Sequence, residues 1–113
     1  MPLPQVAFVS RTEYPHWANT CLELFEVAEG VRMHDVGHIH EIYPGSKRHH
    51  FTRIHERTRI PYEDMLFLDN ESWNVKDVAP MGVVSVHTPQ GLTAQKWEEA
   101  LAAFQQRRRP ARR

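Results

Sequence analysis

Cysteine is nearly absent from these 113 residues: Cys21 stands alone. No internal disulfide is possible, so packing and hydrogen bonds must hold the fold, as suits a reducing compartment. Long apolar runs are missing too, and none approaches the roughly 20 residues of a membrane span. The opening Met1-Pro2-Leu3-Pro4-Gln5 lacks the basic and apolar regions of a signal peptide. A cytoplasmic protein is expected, with the nucleus also open. Net charge is absent as well, with 14 basic against 14 acidic residues. The balance is uneven, because Arg107, Arg108, Arg109, Arg112 and Arg113 crowd the end and leave the body acidic. An acidic body excludes a general nucleic-acid surface, and no membrane partner is expected. There is no internal repeat and no linker. The expectation is one domain over 1–106 and a basic tail over 107–113. That tail either addresses a nucleus or is a solvated, frayed terminus lacking aromatic partners.

What the chain does contain is organised around Met65-Leu66-Phe67-Leu68-Asp69-Asn70-Glu71. Four apolar residues running into an acidic-amide-acidic cluster predict a strand buried on both faces, of the kind found in parallel sheets. Such sheets place their chemistry at the carboxyl ends of the strands. Asp69, Asn70 and Glu71 all offer oxygen to a hard cation such as Mg²⁺. Asp and Asn are equally good at capping the helix that follows, so the residues alone leave both roles open.

Val6-Ala7-Phe8-Val9 predicts a second buried strand, closed by Ser10-Arg11-Thr12. The Ser10 hydroxyl and a backbone N–H suit an anion, or a plain capped turn. A helix over Tyr14–Phe25 should bury Trp17, Cys21, Leu24 and Phe25, which share one helical face. Gly30 marks a stop or turn, and a short strand is expected near Gly37–Glu41. Tyr43-Pro44-Gly45-Ser46-Lys47 opens a helix from Ser46 to about Thr58, with Phe51, Ile54 and Thr58 inward. A lysine there opposes the helix dipole unless an anion sits beside it, or unless its long stem carries the charge to solvent. A short helix over Glu71–Val78 ends at Pro80-Met81-Gly82. A strand at Val83–Val86 follows, and a last helix starts at Thr93 with Trp97, Leu101 and Phe104 as its stripe. The resulting order alternates strand and helix throughout, predicting an open parallel α/β sheet with helices on both faces.

Eight histidines tempt a metal reading. His34 and His38 are four apart, but Gly37 argues against a helix between them. His49 and His50 point apart on any helix. Surface or partly buried imidazoles are the better expectation than a zinc site.

Three pieces together, Ser10-Arg11-Thr12, Tyr43-Pro44-Gly45-Ser46-Lys47 and Leu66-Phe67-Leu68-Asp69-Asn70-Glu71, resemble one family. It is the small magnesium-dependent phosphatases of the haloacid dehalogenase (HAD) superfamily, also called an acid phosphatase family. The likeness runs from about Pro4 to Leu101. It implies a HAD-like, Rossmann-type sheet and a phosphate monoester as ligand, on a phosphorylated small molecule or a phosphoprotein. By resemblance, Ser10, Arg11 and Lys47 bind phosphate, and Asp69 and Asn70 hold Mg²⁺. All of these would converge at the strand ends.

The departures from the family pattern carry equal weight. The family's Asp-x-Asp motif, which supplies the attacking carboxylate and the acid/base, occurs nowhere here, and no acidic residue precedes Glu13. The second acid of the metal motif is replaced by Asn70. The resemblance therefore implies a phosphatase without its nucleophile, inactive as it stands. The central first strand, expected between the strands ending at Val9 and Leu68, would be missing, and the vacated edges would invite self-association. A truncated gene model, a splice form and a diverged non-enzyme all fit.

Overall fold

The computed structural model describes residues 5–24 and 26–108. In chain order it contains β1 (Ala7–Ser10), α1 (Pro15–Leu24), β2 (Glu26–Ala28), β3 (Val31–Arg32), α2 (Met33–Val36), β4 (Ile39–Ile42) and α3 (Lys47–Thr58). A 3-10 turn (Tyr62–Asp64), β5 (Leu66–Asp69), α4 (Ser72–Val78), a second 3-10 turn (Ala79–Met81), β6 (Val84–His87) and α5 (Ala94–Arg108) follow. These elements fall into two compact units, Met1–Ile54 and His55–Arg113. The class is α/β, as the alternating pattern predicts. The strands form three pairs, β1-β4 and β5-β6 parallel and β2-β3 antiparallel.

In the first unit β1 and β4 run parallel, with Ala7 opposite Ile39 and Ser10 opposite Ile42. Parallel neighbours need a long crossover. Here it contains α1, the β2-β3 hairpin and α2. The Ser10 hydroxyl accepts the Thr12 N–H (3.2 Å), and the Thr12 hydroxyl accepts the Tyr14 N–H (3.1 Å). These turns deliver the chain to Pro15, whose fixed φ suits the first helical position. Gly30, in the left-handed region at φ +75°, turns the hairpin. Gly37 is required by space: a Cβ there would lie 2.7 Å from the Val6 carbonyl oxygen and 2.9 Å from the Phe8 ring. The Arg32 guanidinium beside Asp35 holds that carboxyl below the usual carboxylate range, first through its hydrogen bond and then through its charge.

Several expectations for this unit are corrected. Trp17 is 68% and Leu24 71% exposed, Cys21 is also exposed, and Leu22 is the buried residue of α1. Phe25 lies outside the described residues. Periodicity finds an apolar stripe but not whether anything covers it, and α1 packs on α2, β3 and β4 instead. Tyr14 and Trp17 stack on each other at 5.2 Å. The hairpin and α2 were not expected, because strands of three and two residues and a single helical turn are too short to show a period. The expected strand at Gly37–Glu41 lies at Ile39–Ile42. Helix α3 buries Phe51 and Ile54 as expected, while Thr58 is half-buried.

In the second unit β5 and β6 pair in parallel from Leu66–Val84 to Asp69–His87. The ladder is extended by Val84 N–H to Met65 (3.0 Å) and Thr88 N–H to Asp69 (2.8 Å). Helices α4 and α5 both pack on the pair. The core contains Met65, Phe67, Val78, Val83, Val84 and Ala100. Gly82, at φ +104°, reverses the chain between the second 3-10 turn and β6. Thr93 caps α5 as predicted, its hydroxyl accepting the Lys96 N–H (3.1 Å). The buried centre of that helix is Ala100, while Trp97 stays 44% exposed. Arg107 and Arg108 belong to the last turn of α5, and the rest of the basic tail lies outside the described residues. Among the described residues, no helix is long and apolar enough to cross a membrane.

These burials predict opposite outcomes for two aromatic residues of the first unit. Phe51→Ala should cost about 3–5 kcal/mol of unfolding free energy. Trp17→Ala, despite the larger side chain, should stay within about 0.5 kcal/mol. Urea unfolding of both variants measures the difference.

Candidate functional site

One group of candidate residues, in the first unit, lies where β1 and β4 end. The Ser10 carbonyl oxygen accepts the Tyr43 N–H (3.0 Å), so the two strands close side by side. The Ser10 hydroxyl is engaged with the Thr12 N–H, and Arg11 is exposed beside it. From Tyr43 the chain passes through Pro44 and Gly45 to Ser46. The Ser46 hydroxyl accepts the Arg48 N–H (3.2 Å) and its carbonyl the His49 N–H (3.0 Å), the pattern of a helix N-cap. Lys47 is thus the first residue of α3, and it is buried, 7% exposed. Its stem does not carry the charge to solvent. No acidic residue occupies the first turn of α3, so its dipole is opposed by Lys47 and Arg48 rather than complemented. That electrostatic arrangement favours an anion.

Two groups behind this turn were not singled out from sequence. His50 is fully buried, against the expectation of surface or partly buried imidazoles. It is enclosed by backbone carbonyls and stacked on Tyr43 at 4.1 Å and 7°. Glu41 is 4% exposed and accepts the Tyr43 hydroxyl (3.1 Å) and the Arg53 Nε (3.1 Å). The alternation of β4 did not single out Glu41, because its Ile-His-Glu-Ile pattern makes that buried position look like a polar one.

A separate group, in the second unit, lies at the carboxyl end of β5. Asp69 is 8% exposed. Its Oδ1 accepts the Glu71 N–H (2.7 Å) and its Oδ2 the Asn74 side-chain amide (3.3 Å). Asn74 is fully buried and also donates to the Glu71 carboxylate (3.4 Å). Asp69 thus forms an Asx turn leading into α4 rather than capping it, since the N-cap is Glu71 and carries no side-chain capping bond. Asn74 is a further polar residue to which sequence reasoning gave no role. Asn70 is exposed, and its carbonyl accepts the His87 Nε2 (3.0 Å). Among the described residues, no three His, Cys, Asp or Glu converge as metal ligands. Asp69 and Asn70 offer a partial shell only, one carboxylate and one amide oxygen. Mg²⁺ is commonly bound by so few protein groups, with water and substrate phosphate filling the rest.

A shallow cavity of about 290 Å³ is lined by His34, Asp35, Gly37, His38 and His40. The His34 and His40 rings meet edge-on at 4.7 Å, and His40 Nε2 donates to the Gly37 carbonyl (2.8 Å). Its residues share nothing with the strand-end groups above.

Removing the support behind Asp69 should be costly. Asn74→Ala leaves the buried Asp69 Oδ2 and the half-buried Glu71 carboxylate each short of a donor, and about 1–3 kcal/mol of stability should be lost. Trp73→Ala, one residue away on the same helix but 54% exposed, should change stability little. Thermal unfolding of the two variants reads this contrast.

Comparison with known proteins adds the family. Residues 4–107 match the family model described as Acid Phosphatase. The chain is 38% identical over 99 residues to the human protein named Magnesium-dependent phosphatase 1, covering 87% of this chain and 52% of that protein. It is 36% identical over 77 residues to a HAD-like hydrolase superfamily protein of Schizosaccharomyces pombe, covering 66% of this chain and 44% of that one. The chain thus spans about half the length of the curated relatives it matches.

Proposed function

This chain belongs to the acid phosphatase family of HAD-like, magnesium-dependent phosphatases, and from that premise we propose that it binds phosphate monoesters without hydrolysing them. The observation that carries the reading is the buried Lys47 at the head of α3, in a turn closed against the carboxyl end of β1. In this reading Ser10, Arg11 and Lys47 take the phosphoryl oxygens. The helix N-terminus adds a favourable field, and a desolvated ammonium interacts more strongly than an exposed one. Asp69 and Asn70 would hold Mg²⁺, a hard cation suited to their oxygens. The ligand is a phosphorylated small molecule or a phosphoprotein.

Hydrolysis in this family pattern needs a carboxylate that attacks phosphorus and a second one that moves the proton. No Asp-x-Asp stands anywhere in the sequence, so the donors present bind and orient the phosphoryl group and carry the chemistry no further. The purified chain should release no phosphate from an aryl phosphate with Mg²⁺ above background. It should bind inorganic phosphate in titration calorimetry, and Lys47→Ala should abolish that heat. Turnover that disappears in the Lys47→Ala, Asp69→Ala double variant would overturn the non-catalytic reading. Binding unchanged by Lys47→Ala would remove the anion site.

A second reading, in which the strand edges associate with another chain, has its own support. Among the described residues β1 pairs only with β4, and β5 only with β6. The bonds from Tyr43 to Ser10 and from Thr88 to Asp69 fix which residues face those partners. Backbone groups alternate along a strand, so Ala7 and Val9 in β1, and Leu66 and Leu68 in β5, present theirs on the opposite edges. Neither strand carries the lysine, proline or bulge that protects exposed edges. The edge would take a strand from a second copy, or one that completes a phosphatase. Ala7→Pro deletes an edge donor that the β1-β4 ladder does not use. It should abolish concentration-dependent association in sedimentation while leaving the circular dichroism spectrum intact. A wild-type chain that stays monomeric at every concentration would sink this reading.

A further inference from the structure

We propose that His50 is a positioning residue for the anion site: its ring ties together the two loops that carry Ser10 and Lys47. The proposal rests on the reading of Ser10 and Lys47 as anion donors and adds what holds them in place. His50 lies in the second turn of α3 and is fully buried. Its Nε2 is 2.9 Å from the Ser10 carbonyl oxygen and 2.8 Å from that of Tyr43. Its Nδ1 is 3.1 Å from the carbonyl oxygen of Ser46. The three carbonyls come from the end of β1, the segment after β4 and the cap of α3. Two acceptors face Nε2, so that nitrogen carries the proton and shares it between Ser10 and Tyr43.

The ring is itself fixed. Tyr43 stacks on it, the Tyr43 hydroxyl is bonded to Glu41, and the Arg53 guanidinium lies 5.9 Å from the Tyr43 ring while pairing with Glu41. Ser10 and His50 are 40 residues apart in sequence, so this bond spans the whole crossover. The Nε2 proton reaches the Ser10 carbonyl and that of Tyr43, which opens the turn leading to Lys47, while the unprotonated Nδ1 makes no bond to the Ser46 oxygen. The spacing of Ser10 and Lys47 then follows from one rigid side chain. A site for a multiply charged anion tolerates little displacement of its donors.

The alternative is that His50 only fills space, and two pairs of variants separate donor from bulk. His50→Phe keeps a flat ring for Tyr43 and loses both nitrogens. His50→Gln loses the ring, but its amide reaches where Nε2 stood. The readouts are inorganic phosphate affinity by calorimetry and exchange of the Tyr43 and Lys47 amide hydrogens by NMR. His50→Phe should weaken phosphate about tenfold or more and speed Tyr43 exchange similarly, with His50→Gln staying within about threefold. Should His50→Phe not fold, His50→Asn, whose amide falls short of Ser10 and Tyr43, replaces it against His50→Gln.

Exchange and affinity unchanged in His50→Phe would overturn the proposal. So would a His50→Gln as impaired in both as His50→Phe. If the wild-type chain binds no phosphate, the anion reading itself falls, and the exchange data alone still decide whether His50 ties the loops.

Discussion

Parallel pairing constrains this molecule more than any single contact. Two parallel strands must be joined by a crossover, and both then finish at the same end of the pair. In the first unit, Ser10 and the Tyr43–Lys47 turn therefore emerge together, joined by the bond from the Tyr43 N–H to the Ser10 carbonyl. In the second, Asp69 and His87 emerge together, and His87 reaches the Asn70 carbonyl. Each of these residue groups, taken within its own unit, is a product of strand direction, since strand ends leave backbone groups beyond the ladder that side chains and ligands can use.

The buried polar residues gather at those same ends. Glu41, Lys47, His50, Asp69, Asn74 and Thr88 are all less than a tenth exposed. Burying so many polar groups is costly unless each is bonded. Around Asp69 the bonds are local, from Glu71 and Asn74, and they stiffen the turn into α4. Around Ser10 they come from distant sequence, through His50 and Tyr43. The two turns differ in kind. One is an Asx turn built from neighbours; the other is a tertiary closure that exists only when the crossover is complete.

A family resemblance and a mechanism are separate matters in this chain. The family pattern and the matched residues agree across most of its length. The chemistry of phosphoryl transfer, however, depends on a carboxylate pair that composition can test directly. With four aspartates in the sequence, at positions 35, 64, 69 and 77, no two are spaced as the motif requires. Fold and chemistry are separable, and a HAD-like fold accommodates anion binding as readily as catalysis.

The sequence by itself determined the class of the fold and most of its elements. Apolar runs at 66–69 and near 6–9, the turn at Pro44-Gly45-Ser46 and the cap at Thr93 each carry local signals that tertiary contacts did not override. It also identified Ser10, Lys47 and Asp69 as the residues to watch, because motif spacing is local information. The β2-β3 hairpin and the single turn of α2 were illegible, being shorter than any period. Tertiary structure alone decided which faces are covered. Trp17 and Leu24 lie on an apolar stripe yet face solvent, whereas Asn74 and His50, the latter expected at or near the surface, are fully buried. Burial depends on what the rest of the chain brings alongside. For His50 that is a strand end 40 residues away, whose carbonyl oxygen makes a buried imidazole favourable.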